Sequence, residues 1–324
     1  MSHSSARRIR AALTATILAI APATLVAQSG IVVQQKMTFN VAGVTNADLQ
    51  QTISILGADR AKTVTVGKMK VVILSVDASG TEITRLDEGQ VMKLNDKKKT
   101  YTVKTIAEMR ADLAKQQKDA EKSAASGREK DDIRYYPVLD EARRTGERKT
   151  INGFNTEQVS IKITVMGEDQ KTKKTAPYMH LITDMWIDPS QRDAGRVSMA
   201  YAMAQQQALG VDPAMAANPY AKWMKDINAE MAKLEGYPIR SVMTFEAEVD
   251  SASAANKDNN AGARGNPMAA LGGMFGKKKS EEPAAAGSGS GRPVLFTATI
   301  EVQSITSTPP AGSEFEVPVG YVKK

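Results

Sequence analysis

The sequence predicts a mainly β fold of the α+β type, built on one large, mostly antiparallel sheet. Apolar and polar residues alternate at period two through much of the chain, the mark of strands with one buried face. Only three stretches carry apolar residues at helical spacing instead.

Taken in order, a first strand is expected over 31–41, and shorter ones over 63–76, 81–85, 90–94 and 101–104. Asn95-Asp96-Lys97 supplies a hairpin turn between the last two. The clearest strand is 155–166, where Val159, Ile161, Ile163 and Val165 alternate with Gln158, Ser160, Lys162 and Thr164. A further strand, 178–188, sets Tyr178, His180, Ile182, Asp184 and Trp186 on one face. Two more are expected over 240–249, carrying Met243, Phe245 and Ala247, and over 294–303, carrying Val294, Phe296, Ala298, Ile300 and Val302.

The first helix, 106–122, has a stripe of Ile106, Met109 and Leu113 that fades into a polar run, so its second half is expected to project into solvent. The second, 194–209, places Val197, Ala200, Tyr201 and Ala204 together. In the third, Asn218 caps and Pro219 takes the first position. Tyr220, Trp223, Met224, Ile227, Met231 and Leu234 form its stripe, and Gly236 and Pro238 end it. Residues 251–292 are rich in Ser, Ala, Gly, Asn and Lys without periodicity and read as a flexible low-complexity insertion. One domain is therefore expected, made of 28–250 and 293–324.

Residues 1–27 read as a cleaved export signal. Arg7, Arg8 and Arg10 precede an apolar stretch, 11–20, too short to span a bilayer. Ala21-Pro22-Ala23 or Leu25-Val26-Ala27 offers a small-residue cleavage site. The chain has no cysteine, which removes disulfides, thiolate metal sites, a cysteine nucleophile and an acylated lipoprotein anchor. A periplasmic or secreted protein without a lipid anchor is the expectation. The formal charge is +7, of which the three signal arginines account for three and 251–292 for three more. The remaining body is close to neutral, which argues against a nucleic-acid groove.

Few residues suggest chemistry. His180 is the single histidine beyond the signal, so multi-histidine metal sites and zinc-protease motifs lack their parts. It reads as a strand histidine on a partly exposed face, with general-base duty as the alternative. Asp184 and Asp188 flank Trp186, but strand geometry separates them by about 13 Å, wider than glycosidase pairs. Asp188-Pro189-Ser190 reads more simply as a strand end and helix cap. Gly272 to Lys279 lacks the spacing and the Ser or Thr of a phosphate loop, and its Met268, Leu271, Met274 and Phe275 beside Lys277-Lys278-Lys279 suit a transient membrane or partner contact. No catalytic residue, metal or cofactor is expected. Methionines crowd the later elements, where adaptable thioethers suit either a core or a cavity for variable apolar guests.

Several segments occur in an order that resembles a known group. They are 31–41, Lys97-Lys98-Lys99-Thr100-Tyr101, the hairpin 145–154, Met185-Trp186-Ile187, Leu234-Glu235-Gly236-Tyr237-Pro238 and Phe315-Glu316-Val317-Pro318-Val319-Gly320-Tyr321. Together they resemble a domain-of-unknown-function family of bacterial envelope proteins related in fold to the lipoprotein carriers LolA and LolB. The resemblance implies a strongly curved antiparallel half-barrel with helices on its concave side and an apolar cavity between. The expected cavity residues are Tyr220, Trp223, Met224, Ile227 and Met231 from the third helix, with Met185, Met203, Met243 and Phe245. The expected function is non-enzymatic binding of an apolar or lipid-like ligand. The alternative is a structural or interaction protein of the envelope acting through 251–292.

Overall fold

The computed structural model describes residues 29–41, 45–71, 74–127, 133–210, 235–248 and 292–324. The expected signal, the third helix with its stripe, and all of the insertion but Arg292 lie outside them. The described chain begins with β1 (Gly30–Val41), β2 (Thr45–Leu56), β3 (Arg60–Val71), β4 (Leu74–Asp77), β5 (Gly80–Arg85), β6 (Gln90–Asn95) and β7 (Thr100–Thr105). Helix α1 (Ile106–Gly127) leads to β8 (Ile133–Ile151), β9 (Phe154–Asp169) and β10 (Thr175–Asp188). Helix α2 (Arg192–Ala208), β11 (Tyr237–Ala247), β12 (Val294–Thr306) and β13 (Val322–Lys323) complete it.

All thirteen strands belong to one open, curved sheet in the order β13-β7-β6-β5-β3-β2-β1-β12-β11-β10-β9-β8, with β4 also on β3. Every described pairing is antiparallel except the short β13 on β7. The mainly β reading holds. The expected strand 63–76 is corrected to a hairpin, because β4 turns back to pair Val71 with Leu74. β5 then continues the same register along β3, from Lys68–Asp77 to Thr65–Gly80, across a break where Ser79 Oγ receives the Gly67 amide. The turn after Asn95 spans 96–99 rather than ending at Lys97, with the Asn95 side chain accepting the Lys98 amide at 3.0 Å. Asn152 and Gly153, both at positive φ, make the tight link between β8 and β9, a conformation Asn and Gly adopt most readily.

The two faces carry different cover. Ala194 and Val197 of α2 pack with Ile31, Val33, Ile55, Ala61, Ile239 and Val302 on one side, and Tyr201 joins them. Leu56, the next residue after Ile55, points the other way. There the C-terminal segment lays fully buried Phe315 against Leu56, Ile83, Met92 and Leu94, with Val317 and Tyr321 beside it. Arg85, only 6% exposed, fastens that segment by donating to Glu316 at 2.6 Å while a bidentate pair with Asp87 holds it at 2.9 Å. Helix α1 buries Ile106, and its Arg110 donates to the Ala208 carbonyl at the end of α2.

Candidate apolar binding face

Cross-strand register places a continuous set of side chains on the α2 side of the sheet. Met37 lies opposite Leu49 on one neighbour and Ile300 on the other, and Phe39 opposite Ala47 and Ala298. Ala298 faces Met243, Met243 faces Thr183, and Thr183 faces Ile161. The next row runs from Phe296 through Phe245 and Leu181 to Ile163 and Leu139. These two rows cross from β2 to β8, assembling residues more than a hundred positions apart. Thr183 is the one polar side chain among them and none is ionisable, while the charged Lys36, Asp48, Lys162, Asp184, Arg240 and Glu301 of the same strands fall on the opposite face.

Aromatic packing fixes the centre of this surface. Phe296 meets Phe245 edge-on with centroids 5.5 Å apart and stacks on Phe39 at 6.3 Å. Toward β9 the surface is tightly packed, since Val159, Ile161, Ile163, Met185 and Ile187 form one buried cluster with Leu139 and Leu181. Toward the centre it opens, with Phe245 and Phe296 half-buried and Met243 37% exposed.

Of the nine expected cavity residues, the structure brings Met185, Met243 and Phe245 onto this face. Met203 is not brought there: it is 63% exposed on α2, whose sheet-facing positions are taken by Ala194, Val197 and Tyr201. Tyr220, Trp223, Met224, Ile227 and Met231 lie outside the described residues. Phe39, Phe296, Met37 and Leu181 were not anticipated as site residues, although their period-two placement was the available signal.

On β8, β9 and β10 the opposite face holds a chain of polar contacts. His180 Nδ1 is 2.9 Å from Thr164 Oγ1, and its Nε2 is 2.6 Å from Glu248, which also accepts from Arg292 at 2.8 Å. Thr164 in turn contacts Asp140 at 2.5 Å. This chain of contacts ties β8, β9 and β10 to the segments flanking the insertion. The Thr164 hydroxyl is buried between two partners, a placement suited to holding strands rather than to attacking a substrate. His180 foremost holds the Glu248 carboxyl below its usual range. Asp188 does cap the turn that follows, its carboxylate receiving the Ser190 amide at 2.8 Å and hydroxyl at 2.7 Å. Trp186 is buried there beneath the Lys149 ammonium, 4.4 Å from its ring centre.

A cleft of about 310 Å³ lies elsewhere, between α2 and the turn after β5, lined by Asp59, Asp87, Arg110 and Gln207 with Leu86, Ala204 and Ala208. Its lining shares no residue with the apolar face. Among the described residues no group of three or more acidic or histidine side chains is placed to hold a metal ion, and no helix is long and apolar enough to cross a membrane. No family model and no curated protein matches the chain.

Proposed function

We propose that this chain is an exported, non-enzymatic envelope protein that holds an apolar or lipid-like ligand against the α2 side of its sheet. The observation that carries the reading is the uncharged surface running from β2 to β8 through Phe39, Phe296, Phe245 and Ile163. Half-buried Phe and partly exposed Met at its centre offer area that a hydrocarbon chain covers at a gain of about 25 cal/mol per Å². An open curved sheet with a helix on one side also agrees with the half-barrel implied by the resemblance to LolA and LolB. The arginine-led apolar leader supports a periplasmic or secreted location, with release from the membrane after cleavage. Nothing in this function requires a cofactor or nucleic acid. Lipid extraction of protein purified from its own envelope should recover a stoichiometric apolar component. Recovery of none would count against the proposal.

The second reading assigns the work to the insertion, as an interaction arm of an envelope structural protein. Its support is the closed base: Glu248 and Arg292 pair across it, and the Ala247 amide reaches the Pro293 carbonyl at 3.0 Å. A chain lacking 253–291 should therefore fold with an unchanged circular dichroism spectrum. Retained lipid with lost membrane association would assign membrane contact to the arm and ligand binding to the sheet.

A further inference from the structure

A polar ladder interrupts the apolar face on β1, β2 and β3. Gln35 donates to Gln51 at 3.0 Å and Gln51 to Thr65 at 3.2 Å, a ladder across β1, β2 and β3 on the α2 side. All three side chains are half-buried. Along their strands they stand between Ile31, Val33, Ile53 and Ile55 on one side and Met37, Phe39 and Leu49 on the other.

Counting hydrogens shows what the ladder lacks. Each glutamine amide has two N–H donors and the threonine hydroxyl one, and the two internal bonds use two of these five. Reversing both amides leaves the same number: Thr65 then donates to Gln51 and Gln51 to Gln35. In either orientation three donor hydrogens remain for water or an outside acceptor, and a ligand that displaces water from this half-buried ladder must supply acceptors of its own. The acceptor has reason to be uncharged. Beyond β3 on this face Glu82 and Lys93 already pair at 3.5 Å, so Lys93 is not an unshared countercharge for an anion leaving water.

We infer that the Gln35-Gln51-Thr65 ladder binds the ester carbonyl of a neutral acyl ligand whose hydrocarbon chain lies along the neighbouring apolar rows. This rests on the apolar-ligand reading above and adds the chemical class. The ester offers acceptors without charge, and its alkyl part continues onto Met37, Phe39 and Phe296.

The test uses the full chain and three probes of similar length: methyl oleate, 1-octadecene and oleate. Affinities are read by displacement of a fluorescent fatty probe and checked by native mass spectrometry. The wild-type protein should bind methyl oleate about tenfold more tightly than octadecene, the worth of one satisfied hydrogen bond. It should bind the ester more tightly than oleate. Gln51→Leu should erase the preference for the ester while keeping octadecene affinity. Gln35→Leu, which leaves Gln51 and Thr65 bonded, should reduce that preference and guards against a folding defect in the first variant. Equal wild-type affinities for ester and alkene, a stronger affinity for oleate, or a preference unchanged in both variants would overturn the ester assignment alone. Binding of none of the three probes would overturn the apolar-ligand reading and the assignment with it.

Discussion

Phe315 has no solvent exposure, although it sits near the chain end in a four-residue turn. Its ring fills the space over Ile83 and Met92, so Phe315→Ala should cost about 3 to 5 kcal/mol in urea unfolding. Charged residues give a second expectation. Arg85, with Arg60 assisting, holds the Asp87 carboxyl below the usual range, as His180 first and Arg292 next hold Glu248. Carboxylates depressed in the folded state contribute stability above their unfolded pKa and lose it as pH falls through the folded one. The melting temperature should thus change little from about pH 7 to 5 and fall below about pH 4. Asp87→Asn should flatten that acid limb in thermal scans. At this scale the sequence was legible where one residue decides: the Asp188 cap was readable because Asp-Pro-Ser is local. The pairing of Arg85 with Glu316 was not, because only the fold brings Glu316 to it.

Elements were legible in proportion to how cleanly they alternate. β9, β10, β11 and β12 were expected within a few residues because their apolar and polar residues alternate along most of their length. β2 escaped notice: Gln51 stands on its apolar face, and a half-polar face erases period two. β8 was anticipated only at its end, in the hairpin 145–154, and the rest of it escaped for another reason. As the edge strand it carries charge on both faces, and register shifts between Leu139 and Glu141 and between Arg144 and Arg148 break its period, features that discourage pairing with a further chain. The helices were marked by spacing, but the depth at which α2 packs was not. Gly195 allows it: an added methyl would lie 2.1 Å from the Gly236 carbonyl oxygen that leads into β11. Gly195→Ala should push the helix outward and cost about 1 to 3 kcal/mol by chemical denaturation, with near-ultraviolet dichroism altered.

At the level of the whole molecule, the apolar face exists only because distant strands align. β1 brings together β2 from the first part of the chain and β12 from beyond the insertion. Period-two alternation foretold a sheet with one apolar side, and in β9, β11 and β12 it supplied half of that side's residues. The register that joins Phe39 to Phe296 and Phe245 is a tertiary fact that local pattern does not encode. The same register puts the uncharged surface on the α2 side and the His180 chain of contacts on the other, so ligand holding and strand fastening use opposite faces. The proposed role of this surface is to carry an apolar ligand. Native mass spectra of the protein purified from its own envelope, wild type beside Met243→Lys, test it most directly. The partly exposed Met243 admits a lysine without burying the charge fully, so both proteins should fold. A lipid-mass adduct should appear on the wild type and be lost in the variant, at a melting temperature within a few degrees of the wild type; a wild type without an adduct, or an adduct equally retained by the variant, would contradict ligand binding at this surface.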